Sequence, residues 1–160
     1  MAMPTPDRWA IGDQSGVRFP ADVGTLRTGG PQFLTEAFRS YHSLAQDEWV
    51  SSITQCEEVR GGSTGRKMLL SVEYGTPGPP RELFVKFSRD FDDEGRDHGR
   101  TQMESEVEFA ALAGADDFPV VVPIVMFGDF ERTSGTGILI AERIPFGRDG
   151  IEHQHAKCMD

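Results

Sequence analysis

Lys86 stands inside the apolar run Glu82-Leu-Phe-Val-Lys-Phe-Ser88. A cation in a strand that reads as half-buried needs an anionic partner, because an uncompensated charge out of water is costly. Downstream, Glu106 lies in Met103-Glu-Ser-Glu-Val-Glu-Phe-Ala-Ala-Leu112, a stretch with helical character. Upstream, the glycine-rich turn Gly61-Gly-Ser-Thr-Gly65 falls between two strand-like runs. Glycines let the main chain approach an anion without a Cβ in the way. Successive backbone N–H groups, with the hydroxyls of Ser63 and Thr64, then donate to its oxygens. A donor-rich turn, a fixed cation and a carboxylate that holds the cation extended are the parts needed to grip a polyphosphate. The turn alone is equally good hairpin chemistry, so the weight lies on the three together. It is not a Walker A motif, because the residues after Gly61 lead to Arg66 where that motif needs a second glycine followed by Lys and Ser or Thr. It does not match GxGxxG either.

The elements that must position these residues follow from periodicity. Side chains alternate along a strand, so Lys86 shares a face with Phe84 and Ser88 while Val85 and Phe87 point the other way. Glu104 and Glu108 compete with Glu106 for the lysine. Val107, Ala110 and Ala111 beside Glu106 are the positions expected to anchor the helix on the sheet, which favours Glu106. Strands are expected over residues 50–60 and 67–74, through Lys86, and over 120–127 and 137–144, with a helix over 102–113. An earlier helix is expected over 32–46, because Phe33, Leu34, Ala37, Phe38, Tyr41 and Leu44 recur on one face. Residues 1–30, rich in Pro, Gly and Asp, are expected as a flexible arm, and 31–147 as one folded lobe. The implied class is α+β: a five-stranded antiparallel sheet with the Glu106 helix packed against it and an additional N-terminal helix. The acidic block 90–97 reads as an exposed connection, since it lacks the alternating ligand spacing of a calcium loop.

Composition narrows the partners. The chain has 160 residues, 38% of them hydrophobic, which suits one domain or one lobe. Its net charge of -10 argues against nucleic acid, whose phosphates call for clustered Lys and Arg. The longest apolar run, residues 118–130, is broken by Pro119, Pro123 and Asp129 and is too short to span a bilayer. The first residues lack the apolar core of a secretion signal, so no membrane partner and a cytoplasmic location are expected. Cys56 and Cys158 lie far apart without CxxC spacing and read as free thiols.

The run Gly137-Ile-Leu-Ile-Ala-Glu-Arg-Ile-Pro-Phe-Gly147 adds a strand ending in Glu142, Arg143 and Ile144. With it in place, Arg60 to Gly147 resembles the ATP-binding N-terminal lobe of the aminoglycoside phosphotransferase and choline/ecdysteroid kinase-like family, which has a protein-kinase-like fold. Glu106-Val-Glu-Phe-Ala110 is similar to that family's Glu-x-x-Phe-Tyr helix, departing at Ala110. The resemblance implies that Gly61, Gly62, Ser63, Thr64 and Gly65 cover the phosphates of ATP, that Glu106 holds Lys86 towards the α and β phosphates, and that Glu142, Arg143 and Ile144 form a hinge whose backbone reads the adenine edge. It implies Mg²⁺ as cofactor and transfer of the γ-phosphoryl group to a hydroxyl of a small molecule. The family's catalytic aspartate, in a His-Gly-Asp or His-x-Asp loop, and its later metal-binding aspartate belong to a C-terminal lobe and have no counterpart in this sequence. No catalytic or metal-binding residue is therefore assigned. Residues 148–160, with His153, His155 and Asp160, are expected as the start of a linker. The expectation is a truncated, nucleotide-binding lobe without turnover of its own, exposing apolar surface near residues 144–151 and prone to self-association. The alternative is a non-catalytic binding or scaffolding domain of the same layout.

Overall fold

The structure, a computed structural model, describes residues 7–61, 65–96 and 98–145. Its elements run β1 (Trp9–Ile11), β2 (Arg18–Pro20), α1 (Val23–Ser40), β3 (Val50–Val59), β4 (Lys67–Tyr74), β5 (Glu82–Phe87), α2 (Gln102–Ala113), β6 (Val125–Glu131) and β7 (Thr136–Glu142). β3 to β7 form a five-stranded antiparallel sheet in the order β3-β4-β5-β7-β6, and β1 pairs with β2 as a separate hairpin. The α+β class with a five-stranded antiparallel sheet is thus observed.

Alternation explains how the sheet divides its side chains. In β4, Met68, Leu70, Val72 and Tyr74 are buried and the residues between them half-buried. In β5, Leu83, Val85 and Phe87 are buried, leaving Phe84 and Lys86 on the other face as expected. The buried face packs against Phe33, Leu34, Ala37 and Phe38 of α1 and against Phe19 of β2 in one core. α2 covers part of the opposite face. One glycine lets it close down: a Cβ on Gly137 would lie 2.5 Å from Met103 Cβ. Met103, Val107 and Ala113 are its buried residues, whereas Ala111 is exposed, so the anchor is an i, i+4 pair and not the alanines.

Four expectations need correction. Residues 9–30, expected as part of an arm, instead carry both strands of the hairpin and the first part of α1, with Phe19, Val23 and Leu26 buried. Asp22 starts the helix, its carboxylate accepting from Thr25 N at 2.8 Å. Gly30 is a kink within it (φ 57°, ψ -153°) and Pro31 opens the second segment, a position where a missing N–H does no harm. The helix then ends at Ser40, before the expected limit, and His42 takes a positive φ of 61°. The strand expected over 120–127 runs instead over Val125–Glu131. Pro119 and Pro123 disfavour ladder pairing before it. Asp129, read as a break, is fully buried within the strand because its carboxylate is satisfied. It accepts from Gln14 N (3.2 Å), Ser15 N (2.8 Å), Ser15 Oγ (2.5 Å) and Phe130 N (2.8 Å). None of the described helices is long and apolar enough to cross a membrane.

Candidate functional site

Lys86 Nζ donates to Glu106 Oε1 at 2.6 Å, with the two side chains 19% and 27% exposed. Gln102 Nε2, one helical turn before Glu106, donates to the same oxygen at 3.0 Å and fixes the carboxylate from the helix side. The competing glutamates are elsewhere: Glu104 binds Arg132 at 2.6 Å and Glu108 is exposed. The Arg132 hydrogen bond holds the Glu104 carboxyl below its usual range. The pairing of strand lysine and helix glutamate expected from the sequence is therefore present.

The glycine turn abuts this pair at its C-terminal end. Gly65 has φ +63°, and a Cβ there would lie 2.0 Å from the Phe87 carbonyl oxygen, so no side chain fits without moving the backbone. Gly61 also has a positive φ, 121°, and its carbonyl accepts from Lys67 Nζ at 2.8 Å. Gly62, Ser63 and Thr64 lie outside the described residues. The space enclosed among Gly65, Lys86, Ser88 and Gln102 is about 10 Å³, barely one water molecule. An anion would therefore have to approach over the open side of this face.

Register carries the site from the lysine to a recess. Leu69 pairs with Phe84 and Phe84 with Ala141, one same-face row from Lys67, Lys86 and Leu139. One such row is two residues along the strand, about 7 Å. Leu69, Phe84, Ala141, Pro123, Arg143 and Ile144 bound a recess of about 320 Å³ with mainly apolar walls.

The strand-end residues are only partly free to read such a ring. Glu142 N–H donates to Ile124 O at 2.7 Å and Arg143 N–H to Glu82 O at 3.0 Å, so the sheet already uses both donors. Among the described residues, Ile144 N–H makes no backbone hydrogen bond. The Glu142 and Arg143 N–H groups are therefore not available as the hinge expectation requires. The Arg143 side chain forms a wall of the recess, held by Ser71 Oγ (3.0 Å), Gln55 Oε1 (3.3 Å) and Glu82 Oε1 (3.5 Å). Its Nε is buried and has no hydrogen-bond partner among the described residues.

Several contributors escaped sequence reasoning: Lys67, Ser71, Gln55 and Gln102. Alternation already places Lys67, Leu69 and Ser71 on one face of β4, but only the register shows that this face continues into Lys86. Gln102 is four residues before Glu106, a spacing that could have been read on the helix. The acidic connection is not wholly exposed. Asp90 binds Arg66 at 3.0 Å, and buried Arg96 stacks 4.0 Å over Phe91 and donates to Ser134 O and Thr136 Oγ1. The described residues hold no group of three His, Cys, Asp or Glu that could bind a metal ion. His153, His155, Cys158 and Asp160 lie outside them. Comparison of the chain with family models, curated proteins and solved structures gives no match.

Proposed function

We propose that this chain is the ATP-binding lobe of a phosphotransferase that acts on a hydroxyl of a small molecule. The observation that supports it most is the Lys86–Glu106 pair, set one side-chain row from an apolar recess and against the end of a glycine turn. In this reading the adenine ring occupies the recess and Ile144 N–H meets its edge. Lys86, held by Glu106, contacts the α and β phosphates, and backbone N–H groups of residues 61–65 donate to the phosphate oxygens. Mg²⁺, when bound with the nucleotide, would neutralise phosphate charge, and no residue of this chain is assigned to it. The chain offers no aspartate in a His-x-Asp setting to receive the acceptor's proton. It is therefore expected to bind Mg·ATP and, alone, to transfer no phosphoryl group at an appreciable rate.

Calorimetric titration with Mg·ATP tests this reading. Lys86→Met should abolish measurable binding while the circular dichroism spectrum stays that of the parent. Parent affinity retained in the variant, or no binding by the parent, would count against it.

One observation favours a second reading, a non-catalytic binding domain. Phe109, Leu112, Val120 and Val121 are 59%, 65%, 62% and 103% exposed on α2 and the segment after it, an apolar patch suited to a protein partner. That reading expects no nucleotide affinity. The patch also suits a lobe that docks on another lobe or on a second copy, so the nucleotide titration decides between them.

A further inference from the structure

Between α2 and β6 the chain runs Pro119-Val-Val-Val-Pro-Ile124 without helix or strand. Among the described residues, neither the N–H nor the C=O group of Val120, Val121 or Val122 makes a hydrogen bond within the chain. Three consecutive β-branched residues favour strand pairing, and an unpaired backbone of this kind is a template for another strand. Pro119 and Pro123 carry no N–H, which confines a ladder here to about three residues. The side chains around the stretch are apolar and open. Val121 is 103% exposed, and Val120 and Ile124 are exposed beside it. The Phe118 ring, 6.0 Å from that of Phe109, ties the stretch to the outer side of α2, where Leu112 lies one turn further on. Phe109, Leu112, Val120, Val121 and Ile124 together present roughly 600 Å² of surface, against the roughly 800 Å² per partner of a stable protein interface.

We propose that a second copy of this chain covers the patch, docked about a two-fold axis at Val121, with residues 120–122 of the two copies paired antiparallel. A closed two-fold contact needs a surface that complements itself, and an antiparallel pair lets one segment meet its own copy with the same residues on both sides. Val121 of each copy then stands opposite its counterpart, and the flanking prolines keep the ladder from growing further. The rim of the patch is acidic. Asp116 lines the same groove as Val120 and Val121, Asp117 precedes Phe118, and Glu108 is exposed beside Phe109. Two such rims repel in a chain of net charge -10, so the contact is held by its apolar centre and salt tightens it by screening the rims. A basic-rimmed partner would bind with the opposite salt dependence.

Sedimentation velocity on the 160-residue chain is the test. The 17.7 kDa chain should sediment as a dimer at about 100 µM and shift towards monomer on dilution to about 1 µM. Raising salt from about 0.05 to about 0.5 M should tighten the dimer several-fold. Val121→Asp sets two carboxylates opposite each other at the axis and should weaken association at least about tenfold. Full exposure of Val121 leaves the fold of this variant intact, which circular dichroism checks. With oxidised glutathione, Val121→Cys should give a cross-linked dimer in excess of any formed by the parent, which has Cys56 and Cys158. A parent that is monomeric at every concentration would overturn the proposal. So would association that weakens with salt, or association in Val121→Asp equal to the parent's, because the contact would then lie elsewhere. A dimer without the additional cross-link would overturn the two-fold pairing at Val121.

Discussion

The two faces of the sheet are built on opposite terms. On one, Met68, Leu70, Leu83, Val85, Ile138 and Ile140 are sealed beneath α1 and the β1–β2 hairpin. On the other, Lys67, Ser71, Lys86 and Arg143 stand half-buried among Leu69, Phe84 and Ala141, and α2 closes over it through Met103 and Val107. Neighbouring residues of the same strands belong to the two faces, so backbone and propensity are shared and only the environment differs. The sealed face concentrates apolar burial, the main favourable term in folding. The half-open face spends backbone and side-chain position on groups whose desolvation opposes folding. We read the charge retained on that face as serving function and not stability.

Adjacent residues of β5 give the sharpest way to break this comparison. Phe87→Ala removes a fully buried ring from the sealed face and should destabilise the chain by about 3–5 kcal/mol in urea unfolding. Lys86→Met leaves the Glu106 carboxylate with Gln102 as its remaining donor but keeps an aliphatic stem, and should cost about 1–2 kcal/mol, less than Phe87→Ala. Comparable losses from the two would mean that Lys86 is a structural residue, and the functional reading of its face would lose its basis.

A smaller effect probes the polar group on the sealed side. Asp129→Ala should destabilise by about 2–3 kcal/mol, because it strands the Gln14, Ser15 and Phe130 N–H groups that converge on the carboxylate. It should leave nucleotide affinity within error of the parent. A variant that lost affinity at unchanged stability would show that the hairpin communicates with the half-open face.

How much of this was legible in the sequence varies with the range of the interaction. β4 and α2 fall on the residues expected from periodicity alone, and β3 ends one residue short. Glu106 as partner of Lys86 followed from a charge that needed compensation and from Val107 beside it. What failed depended on partners distant in sequence. Asp129 broke the apolar pattern because nothing near it in sequence announces the turn at Gln14 and Ser15 that satisfies it. Trp9, Phe19 and Leu26 are too sparsely spaced among Pro, Gly and Asp to show a period, yet they pack once the sheet offers them a surface. The place of Lys67 was hidden for the same reason, since only the register sets it opposite Lys86.

The smallest expected effect lies at the edge of the sealed face, where Glu58 pairs with Met68. Arg66, just before Lys67, bridges Glu58 Oε1 at 2.5 Å and Asp90 Oδ2 at 3.0 Å. Its hydrogen bond holds the Glu58 carboxyl below the usual range against the opposing effect of burial. A depressed folded-state value means that the stabilisation is present above the unfolded carboxyl value, about 4.3, and disappears as pH falls through the folded one. The bridge is more than a third exposed at Arg66, so solvent and salt reduce its worth to about 0.5 kcal/mol or less. Glu58→Gln should therefore be slightly less stable than the parent at pH 7. The gap should close as pH drops below about 4 and shrink further in about 1 M salt, as followed by urea unfolding across pH. A gap that persisted unchanged in acid would mean that Glu58 shapes the approach to the glycine turn through packing. The rim of the sealed face would then owe its form to more than its charges.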